Sequence, residues 1–281
     1  MKRKVSVLSS FLVFGYAFLY IPIVTLIIYS FNSSKHVFIW GGISLKWYGA
    51  LFRNTQLLQA AWISLRIALA CATLSVLLGI CGALILTKLK KFFGRGFFQG
   101  LVKAPLMMPE VIMGLSLLLL FINMEQLIGW PETGTLTTIT IAHTTLAVAY
   151  VTSIIYTQLS SFDDSLTEAA MDLGAGPIKS FFLITLPILS PSLVAGWLLA
   201  FVLSLDDVVL ASFVAGPKST TLPMMIYSSV RYGLTPQINA LATIVIAIVT
   251  LCILAAALMY RRSSQRHKSA TTSKNGGISV F

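Results

Sequence analysis

The chain has 281 residues, of which 57% are hydrophobic and only 10% charged, with a mean hydropathy of +0.87. A soluble globular domain carries about a quarter charged residues, so that class is excluded. The net charge of +11 does not indicate nucleic acid, because the cations form short clusters between apolar runs, with no basic stripe beside aromatics.

The apolar runs are roughly 20 residues long, the length a helix needs to cross a hydrocarbon core of about 30 Å. Short alternating segments, the mark of a transmembrane barrel, are absent. The prediction is an all-α membrane protein with six spans, embedded in lipid. The first span covers about residues 9–31 and carries Pro22 as a kink that neighbouring helices can satisfy. Lys2, Arg3 and Lys4 precede it as in a secretion signal. However, the run is too long and no small-x-small cleavage site follows, so it reads as a retained span. An outer loop, 32–58, places Trp40, Trp47 and Tyr48 near the interface, where amphipathic rings settle. Residues 1–59 form the first unit of the predicted organisation.

The second span covers 60–87, and the loop Lys88–Gly96 carries Lys88, Lys90, Lys91 and Arg95. The third span is placed at 104–123 and the fourth at 135–158. A polar loop follows over 159–190, then a fifth span over 191–214. The outer loop 215–236 contains Pro217, Pro223 and Pro236, and the sixth span is 237–260. Residues 60–260 thus form the main transmembrane domain. The tail 261–281 is polar and predicted to be disordered. It holds Arg261, Arg262, Arg266, Lys268 and Lys274. The basic clusters all fall on one side of the alternating spans, which places both termini in the cytoplasm. Cys71, Cys81 and Cys252 lie in apolar runs and read as small buried hydrophobes. The two halves share no repeat, unlike many secondary carriers. Any symmetry that transport needs would then come from a second subunit.

The polar loop is the most informative segment. Ser165-Leu-Thr-Glu168 fits a capping box, in which the serine oxygen and the glutamate each satisfy a free N–H. Ala169, Ala170 and Leu173 follow at helical spacing. Gly174-Ala-Gly176 can end that helix in the left-handed conformation, and Pro177 can open a second helix. This second helix is predicted to anchor through Phe181 and Phe182 and to end where Pro187 and Pro191 break the chain. From these residues alone, the unit is either an ordinary interfacial helix pair or a surface read by a partner. Its pattern resembles the EAA loop of permease subunits in binding-protein-dependent ABC importers, at Glu168, Ala169, Ala170, Gly174, Ile184, Leu186 and Pro187. The resemblance runs more loosely over 60–260. It implies the type I importer permease fold, with no catalytic site and no cofactor in this chain. It further implies docking of a cytoplasmic ATPase dimer that binds ATP and Mg, pairing with a second, related permease, and delivery of substrate by a periplasmic binding protein.

Carboxylates within spans are costly and are therefore functional candidates. Asp206 and Asp207 lie in the outer part of span five. Adjacent helical positions point about 100° apart, so the two cannot share one direction. Glu110 follows Pro105 and Pro109 at the predicted inner end of span three. These three acids either tie helices together through Ser204, Asn239 or His143, or form a stepping path for a small cation. Tyr150, Tyr156, Trp197 and Tyr227 are available for cation–π contacts on such a path. His143 reads as a hydrogen-bonded bundle residue. Gly216-Pro-Lys-Ser-Thr lacks the spacing of a phosphate loop, and no metal-binding or nucleophile motif is present. Ser204-Leu-Asp-Asp207 resembles the span-five signature of polyamine permeases, which implies a polyamine cargo, putrescine foremost. A channel or secondary transporter for small cations, working without an ATPase, is the alternative from another class.

Overall fold

A computed structural model describes residues 2–36, 39–89, 92–232, 236–248 and 250–251. Its helices are α1 (Lys2–Ser30), α2 (Lys46–Arg53), α3 (Thr55–Lys88), α4 (Arg95–Met107), α5 (Glu110–Ile128) and α6 (Leu136–Ser160). They continue as α7 (Ser165–Asp172), α8 (Pro177–Ser180), a π-helical turn (Phe181–Thr185), α9 (Leu186–Asp206), α10 (Val209–Val214) and α11 (Leu222–Tyr232). A further apolar helix, α12, spans Pro236–Ile248. Among the described residues, five helical segments are long and apolar enough to cross a membrane. The predicted sixth span is described only in part, and Cys252 and the tail 261–281 lie outside the described residues.

The chain divides into two compact units, 1–54 with 229–281, and 55–228. In the first, α1 keeps Pro22 inside an unbroken helix. The loop after it is organised by Asn32. Its Oδ1 accepts from the N–H groups of Ser34 (3.1 Å) and Gly41 (2.8 Å), and its Nδ2 donates to the Ile39 carbonyl at 2.7 Å. Trp47 donates from its indole to the Asn32 carbonyl at 2.6 Å. The predicted outer loop thus contains a short helix, α2, and an Asx-ordered turn.

The second unit is built on α3, α6 and α9, which pack against one another. Small residues bring these helices close, as expected where lipid leaves little hydrophobic drive for association. A Cβ at Gly79 would lie 2.8 Å from Val151, and one at Gly196 would lie 3.2 Å from it. Ala72, Ala83, Ala147 and Ala200 are fully or almost fully buried beside them. A second cluster (Ile67, Phe121, Ile139 and Leu210 among others) joins α5 and α10 to α3 and α6. Cys71 is buried as expected, but Cys81 faces outward into an apolar cleft of about 340 Å³ between α3, α4 and α6.

Two spans differ from their predicted form. The third is preceded by α4, which packs on α6 and is tied to α3 by a hydrogen bond from Arg95 Nη2 to the Leu86 carbonyl (3.1 Å). The helix breaks at Met108–Pro109, and α5 starts afresh at Glu110. Thirteen residues of α4 advance the chain about 20 Å at 1.5 Å per residue. Glu110 opens the membrane-length helix Glu110–Ile128 at this break and is exposed there, in keeping with the prolines that precede it. The fifth span begins earlier than predicted and stops at Asp206, with α10 following as a separate piece.

Candidate functional site

Two places gather the residues that the sequence singles out. The first is the loop between α6 and α9. The predicted capping box does not form: Asp164 is the N-cap residue, and Ser165 already lies in the helix. Asp163 takes over the local task, accepting the Ser165 N–H at 3.0 Å. That bond holds the Asp163 carboxyl below its usual range, so the carboxylate is fully ionised at neutral pH. Glu168 lies in the first turn of α7, where its charge suits the helix dipole. The helix ends as predicted at Gly174, whose φ is +86°. The Gly174 N–H donates to the Met171 carbonyl at 2.9 Å, and the Ala175 N–H donates to the Ala170 carbonyl at 3.0 Å. This pair of bonds is the Schellman arrangement.

Pro177 starts α8 at its first position. The second helix does not end at Pro187. It passes through the π-turn into α9, with Pro187 in the first turn of α9 and Pro191 inside it. A π-turn rearranges the carbonyl ladder around a residue that has no N–H to donate, so the prolines are absorbed and do not break the chain. Ile184 and Leu186 are half-buried at this junction, while Ala169 and Pro187 are exposed and Ala170 is half-buried. Phe181 is half-buried and stacks edge-on against Phe182. Phe182 itself is 58% exposed, so it does not anchor to the bundle as predicted. Together with Leu173 (90% exposed), Ile178 (75%) and Leu166, it gives the loop an apolar outer surface. Lys88 at the end of α3 bonds Asp164 at 2.5 Å. The basic loop and the polar loop therefore occupy the same end of the bundle, as the charge pattern requires.

The second place is the break between α9 and α10. Asp206 is exposed, whereas the Asp207 side chain is only 6% exposed. The two acids diverge as expected, although Asp207 lies just past the end of α9 in extended conformation, so the helical 100° step is not the cause. Asp207 Oδ1 accepts the Ala211 N–H at 3.0 Å, in the manner of a cap for α10. It also lies 3.8 Å from His143 Nε2 on α6. His143 Nδ1 is 2.8 Å from Ser204 Oγ in the last turn of α9. Glu110, exposed at the start of α5, lies within electrostatic range of Asp207. The structure thus brings Asp206, Asp207 and Glu110 into one region and adds His143 and Ser204 to it. The far end of α10 is fastened as well: Thr138 Oγ1 donates to the Val214 carbonyl at 3.1 Å. Phe213 packs so closely on Gly114 of α5 that a Cβ there would lie 2.6 Å from its ring. Trp197 stacks on Phe201 and donates to Thr73 Oγ1 at 3.3 Å, which gives that aromatic a packing role. Among the described residues, no group of three or more His, Cys, Asp or Glu is placed to hold a metal ion.

Sequence reasoning missed the exposed Leu173–Ile178–Phe182 surface, the Lys88–Asp164 pair and α10 itself. Only the first had an available signal: large apolar residues flanking a glycine hinge in an otherwise polar loop.

Residues 75–269 match the family described as binding-protein-dependent transport system inner membrane component. The putrescine transport system permease protein PotI of Escherichia coli (strain K12) is 48% identical over 266 residues, covering 94% of this chain and 95% of that protein. The spermidine/putrescine transport system permease protein PotC of the same strain is 40% identical over 246 residues, covering 88% and 90%. Among solved structures, a chain of a bacterial ABC transporter that imports the acidic polysaccharide alginate superposes with a TM-score of 0.69. It is 16% identical and covers 92% of this chain and 96% of its own length. At that identity the likeness concerns the fold.

Proposed function

The chain belongs to the family of binding-protein-dependent transport system inner membrane components, and from that premise we propose that it forms half of a polyamine path, putrescine foremost. As a family member it is a multi-pass inner-membrane protein and a transport subunit, not an enzyme. In the proposed complex a second, related permease supplies the other half of the path. A periplasmic binding protein delivers the cargo. A cytoplasmic ATPase dimer, holding ATP and Mg in its own sites, docks on the loop 159–190, and no cofactor resides in this chain. The proposal keeps six spans with both termini in the cytoplasm.

The observation that carries the reading is the loop surface. Leu173, Ile178 and Phe182 are exposed on a locally capped helix pair that runs directly into a span. Exposed apolar residues in a loop that also exposes Asp163, Asp164, Glu168 and Asp172 have the makeup of a protein contact. Glu168, Ala169, Ala170 and Gly174 set its shape, while Ile184, Leu186 and Pro187 join it to the span. The cargo is supported by the similarity to PotI and PotC, and by Asp206 and Glu110, exposed carboxylates able to compensate an ammonium group. Asp207 stands behind them.

Reconstitution in proteoliposomes with the second permease, the ATPase and the binding protein tests the whole reading. Uptake and ATP hydrolysis are compared across diamines, longer polyamines, amino acids and sugars. The expected result is uptake of putrescine that requires every component. Uptake by this chain alone, without an ATPase, overturns the proposal, and a response confined to sugars or amino acids overturns the cargo.

A further inference from the structure

His143 is the least explained polar side chain in the bundle interior. Its side chain is 2% exposed, and its Nδ1 has a partner in Ser204 Oγ at 2.8 Å. Its Nε2 is buried with no hydrogen-bond partner. The polar atom facing Nε2 is Asp207 Oδ1 at 3.8 Å, beyond the range of a hydrogen bond. An orphaned buried nitrogen is costly, and so is a buried carboxylate supported by the Ala211 N–H and the adjacent backbone. An asparagine would suffice if the only task were to hold Ser204. A histidine holds Ser204 with one nitrogen and directs the other toward Asp207.

Ser204 and Asp207 lie on either side of Asp206, at the point where α9 stops and before α10 begins. The ring therefore spans the break. Its Ser204 half is made, and its Asp207 half is open by about 1 Å relative to a normal hydrogen bond. We infer that His143 is a positioning residue that latches the α9–α10 break: closure of Nε2 on Asp207 fixes the direction in which Asp206 faces the cargo. The opposite end of α10 is held by Thr138 and by Phe213 against Gly114. Closure therefore moves the break and the Asp206 side of it, and leaves Val214 in place. This inference rests on the reading of Asp206, Asp207 and Glu110 as part of a cation path.

The two ring nitrogens can be separated by substitution. His143→Asn places a polar atom where Nδ1 is and removes the Nε2 arm. His143→Gln extends a polar atom to the position of Nε2. Both are measured in the complete importer, alongside Asp207→Asn and the His143→Asn/Asp207→Asn double variant. The readouts are maximal putrescine uptake, KM, and the amount of assembled complex in the membrane. The expected result is a fall in maximal uptake of about tenfold in His143→Asn and at least half of normal uptake in His143→Gln. KM and assembly should be unchanged in both. The double variant should be no worse than the poorer single one, since residues acting through one another are non-additive. Equal loss in the Asn and Gln variants overturns the latch, as does an additive double variant. Normal uptake in Asp207→Asn also overturns the latch, whereas normal uptake in Asp206→Asn shows that the cation-path reading beneath it has failed.

Discussion

Helix α7 keeps its shape with bonds that reach no more than five residues along the chain: Ser165 to Asp163, Gly174 to Met171, Ala175 to Ala170. The α9–α10 break is held by residues 61 and 76 positions apart, His143 with Ser204 and Thr138 with Val214. The loop is exposed, acidic and apolar at once, while the break sets the buried polar groups of His143, Ser204 and Asp207 beside the exposed Asp206. Locally built structure can be presented to a partner and moved as a unit without disturbing the core. A polar cluster assembled from three helices can change only when those helices change their spacing. Under the proposed function, the loop is the part that receives work and the break the part that responds to it.

The largest expected effect lies in the loop. Gly174→Val puts a β-branched residue at φ +86°, where L-residues are strained by about 1–2 kcal/mol or more, and removes the Schellman turn. Uptake should fall more than about tenfold, with normal insertion seen on membrane immunoblots. Glu168→Lys, which also opposes the helix dipole, should do the same. Normal transport in both would end the coupling role of the loop and with it the contrast.

Asp206→Asn comes next. Removing an exposed carboxylate from a cation path should slow putrescine uptake about fivefold to tenfold, equivalent to roughly 1–1.4 kcal/mol, while purified complex yield stays constant. An unchanged rate would make this acid a bystander. Leu173→Ser should lower receptor-stimulated ATP hydrolysis several-fold without changing the melting temperature, because a residue 90% exposed contributes little to the fold. A lowered melting temperature would mean that Leu173 is packed inside the permease itself.

The smallest effect is expected at Lys88–Asp164. Both side chains are about half exposed, and such pairs are worth about 0–1 kcal/mol. Either charge reversal should reduce uptake about twofold at most, and the exchanged pair Lys88→Asp/Asp164→Lys should restore it. A severe loss would show that the loop depends on long-range support after all.

What was legible in the sequence follows the same division. Gly174 and Pro177 declared a helix end and a helix start because backbone conformation at those positions is a local matter. The capping box at Ser165 does not form, since the helix already includes Ser165 and Asp163 accepts its N–H. Pro187 and Pro191 suggested a stop, but proline only removes a donor, and the π-turn before it redistributes the carbonyls. The acids at 206 and 207 could be seen to diverge, yet nothing local tells which one turns inward. That depends on His143, which is 61 residues away from Ser204 in sequence. The exposed helix start at Glu110 was legible from Pro105 and Pro109, whereas α4 before it, with Lys103 and Gly100 interrupting its apolar run, was not.

The π-turn has a mechanical consequence. From Pro177 to Asp206 the chain forms 30 residues of uninterrupted helix, about 45 Å long at 1.5 Å per residue. Under the proposed function, no slack loop lies between the ATPase-docking surface and the cargo-facing carboxylate, and the helix from Pro177 to Asp206 serves as a connecting rod between them. The extra residue of the π-turn sets the angle of that rod about its own axis. Deleting one residue within Phe181–Thr185 would leave both ends chemically intact and turn one against the other.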